Sequence, residues 1–180
     1  GRLVDACTVA HAAQEHAHAG GLRTELVRLH LLLARTHRAA ESPFTALPYA
    51  LAASALCKSL GLEGLHAEAV VTLAETWLDL GGEGCCVAAK ELLMRWLPQI
   101  LGNSEAFLQG RALLALGKAT LSTATAADLA SDPHAALEPL ADAAAVFAEA
   151  GTAALEAEAH YLRSLALHSL GRAEERNAAA

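Results

Sequence analysis

Glycine and proline punctuate this chain at intervals of roughly 20 residues, a spacing of between five and six helical turns. Between the breaks the sequence reads as helix over residues 3–18, 22–40, 43–60, 62–80, 84–101, 104–127, 133–150 and 152–170, with a ninth helix starting at Arg172. Ser42-Pro43 and Asp132-Pro133 each put a side-chain oxygen at the N-cap. The proline then takes the first helical position, where its missing N–H costs nothing. Gly61, Gly81-Gly82, Gly102, Gly151 and Gly171 stand where a helix end takes a left-handed residue. Such short connections force neighbouring helices to pack antiparallel. The looser stretch is Ala124 to Ser131.

Composition excludes the competing architecture. The 180 residues include 44 Ala and 33 Leu, against 7 Val and 1 Ile. Ala and Leu lose little freedom in a helix, and the β-branched residues that suit a pleated surface are scarce. The expected fold class is therefore all-α, a right-handed superhelical array of antiparallel helix pairs resembling a tetratricopeptide solenoid.

Helices of similar length raise the question of internal repeats. Four segments align, beginning at Leu31, Val70, Leu113 and Tyr161. The alignment puts Ala34, Ala74, Gly117 and Ser164 in one column of small residues, preceded by the bulky Leu33, Leu73 and Leu116 in the first three. A small residue beside a large one lets the next helix approach closely, and Ala46, Ala50, Ala53, Cys86 and Ala89 offer small partners on the following helices. The column recurs after 40, 43 and 47 residues. That exceeds the usual tetratricopeptide period of about 34 and overlaps HEAT or armadillo spacing, but the two-helix units favour the tetratricopeptide pattern. The whole chain, 1–180, reads as one repeat domain. Residues 1–20 end a preceding repeat, and the units follow at 22–60, 62–101, 104–150 and 152–180. Gly1-Arg2 leads directly into helical sequence without an initiator Met, as expected of a fragment of a longer protein.

Charge and motif content narrow the function. A net charge of −7 argues against a nucleic-acid partner, which needs clustered positive charge. The longest uncharged stretch, Ser42 to Cys57, is too short to span a membrane. Cys7, Cys57, Cys85 and Cys86 lack zinc-like spacing and read as buried thiols in a reducing compartment. His11, Glu15 and His18 share a helical face at i, i+4 and i+7, but a metal needs a third strong ligand and supporting partners. The expectation is no metal and no cofactor. His30, His37, His160 and His168 lie on first helices of repeats, where they pack or line a groove. With no nucleophile motif and no phosphate loop, the chain is not expected to be an enzyme.

First helices line the concave surface of such an array, so their polar positions are the candidate groove. The first unit presents Arg28, Arg35 and Arg38, the second Glu68, Glu75 and Asp79, the third Arg111 and Lys118. The sign alternates from helix to helix, and Arg35, Glu75 and Lys118 occupy equivalent positions one residue after the small column. Glu75 is expected to meet a cation from Arg35 or Lys118, leaving the groove neutralised from within. A clamp for a peptide carboxylate would use asparagines there, and the chain has only Asn103 and Asn177.

Three strings carry a resemblance beyond generic repeats. Ala46 to Gly81 (ALPYALAASALCKSLGLEGLHAEAVVTLAETWLDLG), Leu108 to Ala124 (LQGRALLALGKATLSTA) and Leu167 to Asn177 (LHSLGRAEERN) are similar to the C-terminal tetratricopeptide region of the anaphase-promoting complex subunit 5 family. The similarity runs from about Leu22 to Ala180 and departs at Gly81 to Gly84 and in the Ala124 to Ala136 segment. The resemblance implies a non-catalytic scaffold in the platform of a cell-cycle ubiquitin ligase. Its partners would be other large subunits of that complex, in nucleus and cytoplasm. The alternative is a peptide-binding tetratricopeptide module of a signalling or transcription regulator.

Overall fold

A computed structural model describes residues 2–126 and 134–171. The Asp132-Pro133 cap, the core of the looser stretch and the ninth helix from Arg172 lie outside the described residues. Eight helices are present among those described: α1 (Arg2–Ala19), α2 (Arg23–Ala39), α3 (Pro43–Leu60), α4 (Glu63–Leu80), α5 (Glu83–Asn103), α6 (Ala106–Ala126), α7 (His134–Glu149) and α8 (Ala153–Ser169). No strand occurs among the described residues. The fold is an all-α helical repeat.

Local chemistry accounts for most helix ends. Gly61, Gly81, Gly82, Gly151 and Gly171 all take positive φ, and Gly61 caps α3 in the left-handed conformation with its N–H donating to the Cys57 carbonyl. Two expectations need correcting. Gly102 does not end α5, which continues to Asn103. Ser42 occupies the N-cap of α3 with Pro43 behind it, but its side chain makes no capping hydrogen bond. Its backbone carbonyl accepts from the N–H groups of Thr45 and Ala46 instead. Prolines also stand inside helices: Pro48 in α3, Pro98 in α5 and Pro139 in α7. Pro48 and Pro139 are each the sixth residue of their helix, so the carbonyl deprived of its donor lies in the first turn, near solvent.

The chain divides into two compact units, Gly1–Leu80 and Gly81–Ala180. In the first, α1 packs on α2, α2 on α3, and α3 on α4, while α2 also touches α4. Its core gathers Val27 and Leu31 of α2, Ala53 and Cys57 of α3, and Ala69 of α4. Ala46, Ala50, Ala53 and Cys57 form a fully buried stripe of small side chains along α3. A stripe so thin brings neighbouring helices close, and Val27, Leu31 and Leu33 fill the remaining space. The column residues Ala34 and Ala74 are fully buried here, with Leu33 and Leu73 beside them also buried.

In the second unit α5 packs on α6, α6 on α7, and α7 on α8, with α6 reaching α8. The α6–α7 contact shows what the small column is for. A Cβ added at Gly117 would stand 2.4 Å from Leu140 Cδ2, and one at Gly110 would stand 2.9 Å from both Phe147 Cε1 and Val146 Cγ1. The two glycines lie seven residues apart on one face of α6, opposite Leu140 and Phe147, seven apart on α7. The order is reversed, as antiparallel packing requires. Leu140 and Phe147 are fully buried in the core with Leu113, Leu114 and Ala159. In α8 the column moves: Ser164 is only half-buried, whereas Ala166 and Leu167 are buried, so the small position falls two residues later than expected.

Gly117→Leu should destabilise the fold by roughly 1–3 kcal/mol, because α7 must be pushed off its seat. Gly64→Ala, whose added Cβ meets nothing within 4 Å, should be neutral or stabilising by up to about 1 kcal/mol. Chemical denaturation of the two variants checks the contrast.

Candidate functional site

The polar surface of the first unit is built where α2 and α4 run side by side. Arg35 Nη1 lies 2.7 Å from Glu68 Oε1. Arg38 donates to Glu75 through Nη1 and to Asp79 through Nε, the second at 2.6 Å. Arg38 and Glu75 are the more sheltered pair, with side chains 21% and 14% exposed. Two carboxylates therefore share one guanidinium, whose planar fork of donors suits several acceptors at once. Beside the pair opens a hollow of about 580 Å³ lined by Arg35, Arg38, Ala39, Glu41, Pro43 and Asp79.

The expected pairing is thus corrected in register. Arg35 and Glu75 hold equivalent column positions but do not pair; Arg35 takes Glu68, and Glu75 takes Arg38. An arginine stem is long enough to reach a full turn along the neighbouring helix, so level positions have no privilege. Arg28 pairs with Glu25 of its own helix at 3.0 Å rather than with an acid of α4, both side chains mostly exposed. Lys118, in the second unit, holds Glu158 of α8 at 2.6 Å. Glu158 is the partner that the charge pattern missed, since that pattern took in the first three units only; it stands six residues before Ser164, as Glu68 stands six before Ala74. Arg111 is half-buried on α6.

The histidines divide between structure and surface. His11 is half-buried although it shares its helical face with Glu15 and His18. Its ring lies against Tyr49 and His37, with centroids 5.8 and 6.3 Å away, while Glu15 and His18 are exposed. Among the described residues no group of three or more His, Cys, Asp and Glu side chains is placed to hold a metal ion. His30 is buried, with Gln14 Nε2 3.0 Å from its Nε2, and burial lowers its pKa. His66 is lowered by burial and secondarily by Lys58.

Of the four cysteines, Cys57 and Cys86 are buried, while Cys7 and Cys85 are half-buried. Burial, assisted by the nearby Glu68 charge, pushes the Cys57 thiol up to about 11. A thiol held protonated is a poor nucleophile. No helix of the described residues is long and apolar enough to cross a membrane.

Helices that pack each on the next within both units, with ion pairs on their polar faces, define a helical-repeat protein. No family model matches the chain. It is 35% identical over 175 residues to anaphase-promoting complex subunit 5 of Arabidopsis thaliana, covering 97% of this chain. The mouse and human subunits are 31% and 32% identical over 158 residues, covering 86%. The chain corresponds to a region of the anaphase-promoting complex subunit 5 family. The plant match reaches into α1, further than the resemblance read from Leu22 onward. The chain spans about a fifth of the length of these relatives, between 19% and 21%.

Arg38→Ala should cost about 1–3 kcal/mol, the range for hydrogen bonds to partly sheltered charges. Arg28→Ala should stay within about 0.5 kcal/mol, as its pair is solvated. Paired urea titrations measure both. Under native conditions iodoacetamide should label Cys7 and Cys85 well before Cys57, as read by peptide mass spectrometry.

Proposed function

We propose that the chain is a non-catalytic scaffold segment of an anaphase-promoting complex subunit 5, serving protein–protein contact within the platform of a cell-cycle ubiquitin ligase. The observation that carries this reading is the similarity to subunit 5 proteins across 86–97% of the chain. The polar surface supports it. Arg35, Arg38 and Lys118 are already engaged by Glu68, Glu75, Asp79 and Glu158, so little net field is left to steer a charged peptide tail. Contact with other large subunits of the complex would then rest on shape and apolar area rather than on capture of a charged terminus. Residence in nucleus and cytoplasm belongs to the same reading.

Affinity purification of the tagged full-length parent from cells tests it. Cullin and RING subunits are expected to co-purify in stoichiometric amount. Recovery of a signalling or transcription assembly without them would overturn the scaffold assignment in favour of a peptide-binding module.

A further inference from the structure

Helix α1 meets α2 and α3 largely through polar side chains. It buries only Ala10 and Ala17 among its described side chains, whereas α2 buries Val27, His30, Leu31, Leu33 and Ala34. Two alanines supply little apolar burial. What α1 does offer is a row of polar groups at i, i+4 and i+7. Cys7 Sγ lies 3.9 Å from His37 Nε2, the His11 ring rests against Tyr49 and His37, and Gln14 reaches His30. On the other side of this layer, His37 stacks on Tyr49 at 5.5 Å with the planes 5° apart, and the His30 ring is 6.0 Å from Tyr49. Three imidazoles from two helices surround one phenol ring of α3.

We propose that this layer is a proton-operated latch: it seats α1 on α2 and α3 while His30 and His37 are neutral, and it releases α1 when they are protonated.

The titratable groups facing one another are Cys7 and His11 from α1, His30 and His37 from α2, and Tyr49 from α3. Among the described residues no carboxylate pairs with any of the three imidazoles; Glu68, Glu75 and Asp79 of α4 are turned to Arg35 and Arg38. A tyrosine face can favour one stacked cation, but it cannot serve three. His30 also carries a buried Nδ1 without a partner, while Gln14 Nε2 donates to its Nε2. A proton added at Nε2 would set two donors against each other. Burial lowers His30 and His37, and His11 lowers His37 further. With α1 seated, His30 and His37 of α2 therefore bind fewer protons than with α1 released. Docking is complete above the ordinary histidine value of 6.5 and is lost as the pH falls below it. Release would uncover the face of α2 and α3 that α1 covers. The latch does not depend on the assignment to the ubiquitin ligase.

Hydrogen exchange of the 180-residue chain, corrected for intrinsic rates, tests the latch at about pH 7.5 and pH 5.5, either side of the histidine midpoint. Peptides of α1 should lose protection several-fold at the lower pH relative to peptides of α4. In the double variant His11→Gln, His37→Gln that loss should shrink markedly. Equal α1 protection at both pH values, or an undiminished loss in the double variant, would overturn the proposal. Should the variant not fold, the wild-type imidazole Cε1 protons decide it by NMR titration. A His37 midpoint below 6.5 supports the latch, and one at or above 6.5 rejects it.

Discussion

The rest of the structure depends on how closely the helix backbones approach. An alanine-rich chain buries little apolar area per side chain, so it gains cohesion only if its helices come near enough for backbone and side-chain atoms to make dense contact. The α6–α7 seam shows the limiting case. Gly110 and Gly117 leave recesses that Phe147 and Leu140 fill, and a single methyl group at either position would collide with its occupant. In the first unit the same economy appears as the buried stripe Ala46, Ala50, Ala53 and Cys57 on α3. Bulky residues are few and act as plugs between thin surfaces, as with Leu31 and Leu33.

Close approach brings polar faces together as well as apolar ones. With α2 against α4, the arginines of one helix reach the carboxylates of the other, and Arg38 bridges Glu75 and Asp79. The pairs lie at the edge of the core, where solvent screens them in part, so their contribution to stability is modest. For the proposed scaffold role, they bear on recognition. A surface whose cations are spent internally presents alternating charge of short range, and that suits docking by fit better than long-range capture.

The histidines follow a separate logic. A neutral imidazole is a flat ring of moderate polarity that packs against tyrosine, yet a single proton turns it into a cation that needs solvent or an acid. His30 is buried and His37 half-buried, neither with an acid beside it, whereas His160 on α8 has Glu156 at 3.9 Å. The same residue type therefore packs against rings in one helix and lies beside an acid of its own helix in another.

The boundaries of the helices were legible in the sequence because glycine and proline act within one or two residues of themselves. Gly61 and Gly151 take left-handed φ for a reason contained in their missing Cβ. The all-α class and the small column at Ala34, Ala74 and Gly117 were legible for similar reasons, being matters of propensity and size. Pair partners were not. Arg35 meeting Glu68 rather than Glu75, and the column of α8 falling at Ala166 rather than Ser164, depend on how far one helix slides past its neighbour. So does the capture of His11 by Tyr49, since the two residues come from helices separated in the chain by a third. Residue type determined where each helix stops and which face is thin; the axial offset between packed helices, which no local sequence carries, decided which side chains touch.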